Sequence, residues 1–226
     1  MGMQDAGVRW DVEAEAVSAP ADRTEGIYAR RGKRALDLAL LALGGPVALA
    51  LVALLALLAR LDGGPAFYSQ TRVGRGGRRF ACRKIRTMTP DADARLAALL
   101  AADPAAAVEW ERRQKLSRDP RVTRLGRVLR ATSLDELPQL WNVLTGEMSL
   151  VGPRPMTPEQ EPMYPGAAYY RLRPGLTGPW QVSDRHASEF AGRAAHDARY
   201  AREVSLWTDL KLLARTVGVV LRGTGA

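Results

Sequence analysis

Residues Leu38–Ala59 read LALLALGGPVALALVALLALLA, 22 residues without a charge and almost all Ala, Leu and Val. As one helix, at about 1.5 Å per residue, the run is ~33 Å long and matches the ~30 Å hydrocarbon core of a bilayer. A soluble core helix is rarely apolar on every face over that length. A cleaved signal peptide has a shorter apolar region of ~7–15 residues behind a short basic start. Here 37 residues precede the run and Asp37 abuts it. A membrane-inserted helix is therefore expected. Gly44-Gly45-Pro46 interrupts the run, and proline removes one helix hydrogen bond and crowds the preceding turn.

Charge around the run bears on its path. Arg23, Arg30, Arg31, Lys33 and Arg34 precede it, and Arg60, Arg72, Arg75, Arg78 and Arg79 follow it. Five cations on each side give no preferred direction under the positive-inside rule and place both ends on the cytoplasmic side. This favours a re-entrant helix broken at Pro46 that enters and leaves by one face. A kinked helix that spans is the alternative, since membrane helices tolerate proline. The 226-residue chain carries a net charge of +9, and its distribution is uneven. Residues 1–29 hold six acidic residues against two basic. Residues 30–90 hold twelve basic against two acidic, a net of +10. One cysteine, Cys82, excludes a disulfide framework, and two histidines argue against a histidine metal site.

These boundaries predict three parts: a mobile acidic tail over 1–29, a basic flank and re-entrant helix over 30–62, and a cytoplasmic domain over 63–226. The fold class expected is α+β, mostly helical with a small β-hairpin. Residues 66–73 and 79–86 are candidate strands around the Gly74-Arg75-Gly76-Gly77 turn. Helices are expected over Asp91–Ala102, from Asp103-Pro104, and from Leu134 behind Ser133. Five prolines between Pro153 and Pro165 mark an irregular stretch. A final helix is expected over 196–222, where Leu206, Leu210, Leu213, Val217 and Val220 form one stripe. That stripe suits either a membrane interface, flanked by Trp207, Lys211 and Arg215, or the domain's own core.

Ser133-Leu134-Asp135-Glu136-Leu137-Pro138 is the strongest chemical candidate. One reading is a capping box, Ser133 with Glu136 three residues on, and acids suited to the helix dipole. The other gives the same two carboxylates work to do. An Asp can act as a nucleophile on phosphorus, and a divalent cation held by the pair would screen it from an anionic substrate. Lys84, Arg130 and Arg154 are candidate phosphate ligands. Arg154 lies between two prolines, which holds its guanidinium at low entropic cost for bidentate contact. Arg72, Arg75, Arg78, Arg79 and Arg83 instead suit attraction to anionic lipid headgroups.

Several longer stretches occur in order. They are Lys33-Arg34, Gln70-x-Arg72-x-Gly74, Lys84-x-Arg86-Thr87-Met88, SLDELPQLWNVLTGEMSLVGPRP (Ser133–Pro155), RPGLTGPWQVS (Arg173–Ser183) and SLWTDLKLLARTV (Ser205–Val217). Over residues ~31–226 the chain resembles the bacterial sugar transferases, the monotopic phosphoglycosyl transferases that prime exopolysaccharide and O-antigen synthesis. The resemblance implies that Asp135 attacks the β-phosphate of a UDP-sugar, releases UMP and holds the phospho-sugar covalently. Undecaprenyl phosphate then takes it. It implies that Glu136 moves a proton or shapes the metal site, that Mg²⁺ is the cofactor with Asp135 as its contact, and that Lys84, Arg130 and Arg154 surround the phosphates. Asp197 matches a further C-terminal acid.

The resemblance further implies an inner-membrane protein whose domain lies on the cytoplasmic face among membrane lipids. No nucleic-acid partner is expected, and a homodimer is compatible with the sequence. The chain departs from relatives that carry serine before the helix-breaking proline; Gly45 stands there instead. The stretch before the apolar run holds no multi-helix membrane domain, so a minimal catalytic form is expected. The wording GPWQVS resembles members that transfer glucose or galactose 1-phosphate. A non-catalytic adaptor that binds anionic lipid or nucleic acid through the +10 region is the rival from another class.

Overall fold

The structure is a computed structural model that describes residues 26–113, 116–183 and 190–221. Most of the acidic tail expected over 1–29 therefore lies outside the described residues. A π-helical turn, Tyr28–Gly32, leads into one α-helix, Lys33–Arg60, of 28 residues. Ala and Leu are strong helix formers, and their density here carries the helix through Gly44-Gly45-Pro46. The expected break at Pro46 is not a break of secondary structure. Proline costs the backbone bond to the carbonyl four residues back, and the rest of the helix keeps its own. Most of its apolar side chains point outward, with Leu43 80% exposed and Val47 74%, while Leu55, Ala56 and Ala59 are buried. The helix is long and apolar enough to cross a membrane.

Two compact units divide the described residues, and the boundary falls inside this helix, between Gly45 and Pro46. The first unit takes the helix up to Gly45, residues 70–82, and most of the chain from Gln139 to Val219. The helix is held there by a buried polar network. Lys33 Nζ donates to Asp209 Oδ2 at 2.6 Å and to Tyr200 Oη at 2.8 Å, and Tyr28 Oη donates to Asp209 Oδ2 at 2.7 Å. Asp37 accepts from Ser149 Oγ and from the Leu150 amide. A desolvated ion pair is tolerable when its remaining hydrogen-bonding capacity is filled. Arg34 donates to the Val143 and Leu144 carbonyls and so caps the helix Gln139–Thr145.

Two small sheets are present among the described residues. β1 (Phe67–Val73) and β2 (Arg79–Ile85) pair as the expected hairpin. β3 (Ser149–Val151) and β4 (Gly175–Thr177) pair in parallel, with Ser149 opposite Gly175 and Val151 opposite Thr177. The sequence reading lacked this second sheet. Its strands have three residues each and sit beside prolines, so no alternation betrays them. A Cβ on Gly175 would lie 2.1 Å from the Gly152 amide nitrogen, so only glycine permits the approach. The C-terminal region is two helices, Arg193–Glu203 and Leu206–Leu221, rather than one. Ser205 Oγ accepts from the Thr208 amide and starts the second. On that helix Leu206, Leu210 and Val217 are exposed, while Asp209 and Leu212 turn inward.

The second unit takes the helix from Pro46 on, the open ends of the hairpin and residues 83–138. Its core is Leu55, Ala59, Ile85 and Leu129, with Leu51, Leu125 and Leu134 packed against them. Arg86 closes the end of the membrane helix. It donates to the carbonyls of Ala59, Pro65 and Met88 and pairs with Asp62. A guanidinium on the last carbonyls of a helix answers both their unmet hydrogen bonds and the negative end of its dipole. Helices Ala92–Ala102 and Pro104–Arg113 form as expected. Helix Arg124–Thr132, capped by Thr123 Oγ1 on the Gly126 amide, was not anticipated.

Candidate active site

The expected helix from Leu134 is a single 3₁₀ turn, Leu134–Glu136, and α-helix resumes only at Gln139. Pro138 accounts for this, because its ring and missing N–H oppose a helical bond back to the Leu134 carbonyl. Ser133 is not an N-cap. Its φ of 57° is left-handed, it ends the preceding helix, and its amide donates to the Arg130 and Leu129 carbonyls. The capping-box reading is thereby excluded at its first residue. Among the described residues Ser133 is the only non-glycine with positive φ. Such strain costs about 1–3 kcal/mol and is retained where the surroundings over-determine it. Here Leu134, anchored in the core, and the Arg124–Thr132 helix fix the turn from both sides.

Asp135 and Glu136 thus sit on a short, pinned turn instead of a regular helix. Lys84, near the end of β2, reaches across 52 positions of sequence to donate from Nζ to Glu136 Oε1 at 2.7 Å. The same ammonium is 3.9 Å from Asp135 Oδ2. Asp135 is only 8% exposed. Burial pushes its carboxyl above the usual carboxylate range, and the charges of Lys84 and Arg130 pull the other way. Arg130 is oriented by donating from Nε to Thr87 Oγ1 at 2.9 Å. Thr87 is itself fixed, since its carbonyl accepts from the Thr123 amide at 3.0 Å. Four of the sequence candidates therefore meet in this unit: Lys84, Arg130, Asp135 and Glu136.

Arg154 and Asp197 belong to the other unit and share a different environment. The Pro-Arg-Pro segment is tied to β1, where Arg72 Nη1 donates to the Pro155 carbonyl and the Val73 amide to the Met156 carbonyl. Asp197 is 3% exposed and accepts from Tyr164 Oη at 2.9 Å. Burial pushes it up to about 7, against the Tyr164 bond and the charge of Arg193. Sequence reasoning missed Arg193. Its guanidinium lies 4.1 Å from the centre of the Trp180 ring and 4.8 Å from that of Phe190. Burial and the neighbouring Arg154 and Arg72 lower it to about 10. Its position four before Asp197, one helical turn away, was the available signal.

No group of three or more His, Cys, Asp or Glu side chains gathers as a metal cage among the described residues. The adjacent Asp135 and Glu136 carboxylates nevertheless fit Mg²⁺. That ion is ordinarily held by one or two carboxylates, completed by substrate phosphates and water.

The sequence profile of the family described as "Bacterial sugar transferase" matches residues 28–223. The chain is 48% identical over 179 residues to the "UDP-galactose-lipid carrier transferase" of Erwinia amylovora, covering 78% of this chain and 37% of the relative. It is 45% identical over 175 residues to the "Exopolysaccharide production protein ExoY" of Rhizobium meliloti, covering 76% and 77%. It is 43% identical over 200 residues to the "UDP-glucose:undecaprenyl-phosphate glucose-1-phosphate transferase" of Caulobacter vibrioides, covering 84% and 69%. The chain spans little more than a third of the length of the first of these relatives.

Proposed function

The chain belongs to the bacterial sugar transferase family, and from that membership and the site geometry we propose that it moves a hexose 1-phosphate from a UDP-sugar to undecaprenyl phosphate. The observation that carries this reading is one ammonium, Lys84, set between a buried Asp135 and its neighbour Glu136. A buried carboxylate has shed hydration and is the stronger nucleophile once ionised, and Lys84 with Arg130 favours the ionised form.

In the first step an Asp135 carboxylate oxygen bonds to the β-phosphorus of the UDP-sugar. The bond from that phosphorus to the bridging oxygen breaks, and UMP leaves with the electron pair. In the second step an oxygen of the lipid phosphate attacks the same phosphorus, and the Asp135 oxygen departs as carboxylate. Glu136, hydrogen-bonded to Lys84, accepts any proton that the lipid phosphate carries in. Arg130, held by Thr87, and Lys84 offset phosphate charge throughout. Arg154 and Asp197 are proposed to bind phosphate or substrate. Mg²⁺ held by Asp135 would neutralise phosphate charge.

A lipid acceptor requires a site at headgroup level, and the exposed helix Lys33–Arg60 supplies the membrane foot. Both of its flanks lie on the cytoplasmic face of the inner membrane, in a re-entrant path hinged at Gly45-Pro46. Membranes holding the protein, incubated with labelled UDP-glucose or UDP-galactose, undecaprenyl phosphate and Mg²⁺, release UMP. Asp135→Asn abolishes that release. Absence of UMP with every common UDP-sugar would remove the reading.

A further inference from the structure

Beside the membrane helix's C-terminal end, within the second unit, lies a cavity of about 720 Å³ whose lining residues have been given no role in the reaction described above. Its volume is within the ~300–1,000 Å³ of small-molecule sites. Two kinds of surface line it. Leu58, Leu61, Val122 and Leu125 form an apolar wall, and Leu61 is 77% exposed. Four arginines and two aspartates supply the charge. Arg86 is paired with Asp62 and Arg95 with Asp91. Arg124 and Arg127 have no carboxylate partner among the described residues. The Arg124 side chain makes no hydrogen bond there, and the Arg127 side chain donates only to the Val122 carbonyl, at 3.3 Å. The cavity therefore offers two solvent-exposed guanidinium groups with no carboxylate partner among the described residues, beside an apolar wall, a pattern that suits an anionic amphiphile.

Its place relative to the dyad is set by shared elements. Arg86 on the cavity's edge stands two residues beyond Lys84, about 7 Å along the same extended chain. Arg127 stands one turn before Arg130 on the same helix, so Arg124, Arg127 and Arg130 form a ladder of cations about 9 Å long. One end of the ladder is in the cavity, and the other acts on Asp135.

We propose that this cavity seats the lipid acceptor, its phosphate on Arg124 and Arg127 and its first isoprenyl units against Leu58, Leu61, Val122 and Leu125. The inference rests on the transferase reading for the acceptor's identity. The apolar wall selects a lipid over a nucleotide, because a nucleoside diphosphate would leave that wall unused. Handing the phosphate from Arg127 to Arg130 brings it within reach of the phospho-sugar on Asp135.

The test uses the full chain in nanodiscs and a short polyprenyl phosphate carrying a diazirine on its first isoprenyl unit. Crosslinks are expected in the peptides around 58–62 and 120–127. Unlabelled polyprenyl phosphate should suppress them, while UDP and phosphatidylglycerol should not. Suppression by UDP assigns the cavity to the donor, and equal suppression by phosphatidylglycerol makes it a general lipid site; either overturns the proposal, as does labelling elsewhere. The double variant Arg124→Gln/Arg127→Gln, with unchanged melting temperature, should raise the acceptor KM about tenfold. UMP release without acceptor should be unaltered, and an unchanged acceptor KM overturns the proposal. If the wild type releases no UMP but the crosslinks appear as expected, the transferase reading fails and the lipid phosphate site stands.

Discussion

At the residue scale, the site is a contest over one proton on Asp135. Burial favours the protonated form and the Lys84 charge favours the ionised form. Lys84→Gln removes the second influence, so the Asp135 pKa rises and the acidic limb of UMP release moves to higher pH. A pH–rate profile of the variant checks this, and an unmoved limb would separate Lys84 from Asp135. Asp197 follows the opposite logic from an ordinary paired carboxylate. Its folded pKa of about 7 exceeds the unfolded value near ~3.9, so the folded state holds the extra proton. The stability this confers is complete below about pH 4. It is lost as pH rises to about 7. Asp197→Asn keeps an acceptor for Tyr164 Oη and should flatten that slope, read as denaturant midpoints at pH 5 and pH 8.

At the scale of elements, the dyad depends on how helix Arg124–Thr132 lies on the chain after β2. Contact is made at Gly126, where a Cβ would fall 2.0 Å from the Thr87 carbonyl oxygen. Gly126→Ala must push the helix away, at a cost of about 1–3 kcal/mol, and must disturb the Thr123–Thr87 and Arg130–Thr87 bonds together. A lowered melting temperature accompanied by lost UMP release is the expected pair of outcomes. The sequence announced this helix only faintly: Leu125 and Leu129 stand four apart behind Thr123, but three arginines and a glycine within nine residues blur the pattern. The turn Leu134–Glu136 was legible as a candidate site and misread as a helix, because its acids suit a helix start and the effect of Pro138 depends on where the helix begins.

At the scale of the whole molecule, the membrane path of Lys33–Arg60 is the property to test. Cys82 is buried, at 3% exposure, and is a poor reporter. In a Cys82→Ser background, cysteines at the exposed positions Arg31 and Leu61 should both resist an impermeant thiol reagent in intact cells and both react after permeabilisation. Reaction of either one from outside would replace the re-entrant path with a spanning one. The amino-acid sequence by itself determined the apolar helix and the hairpin and singled out the acid pair as a candidate. Each rests on composition or spacing within a short stretch, where local chain geometry leaves few alternatives. Only the tertiary structure decided which cation answers which carboxylate. Lys84 meets Glu136 across 52 positions and Lys33 meets Asp209 across 176, while Ser149 finds Gly175 in a parallel sheet. Such pairings depend on how packed elements bring distant residues together, and no local periodicity records that.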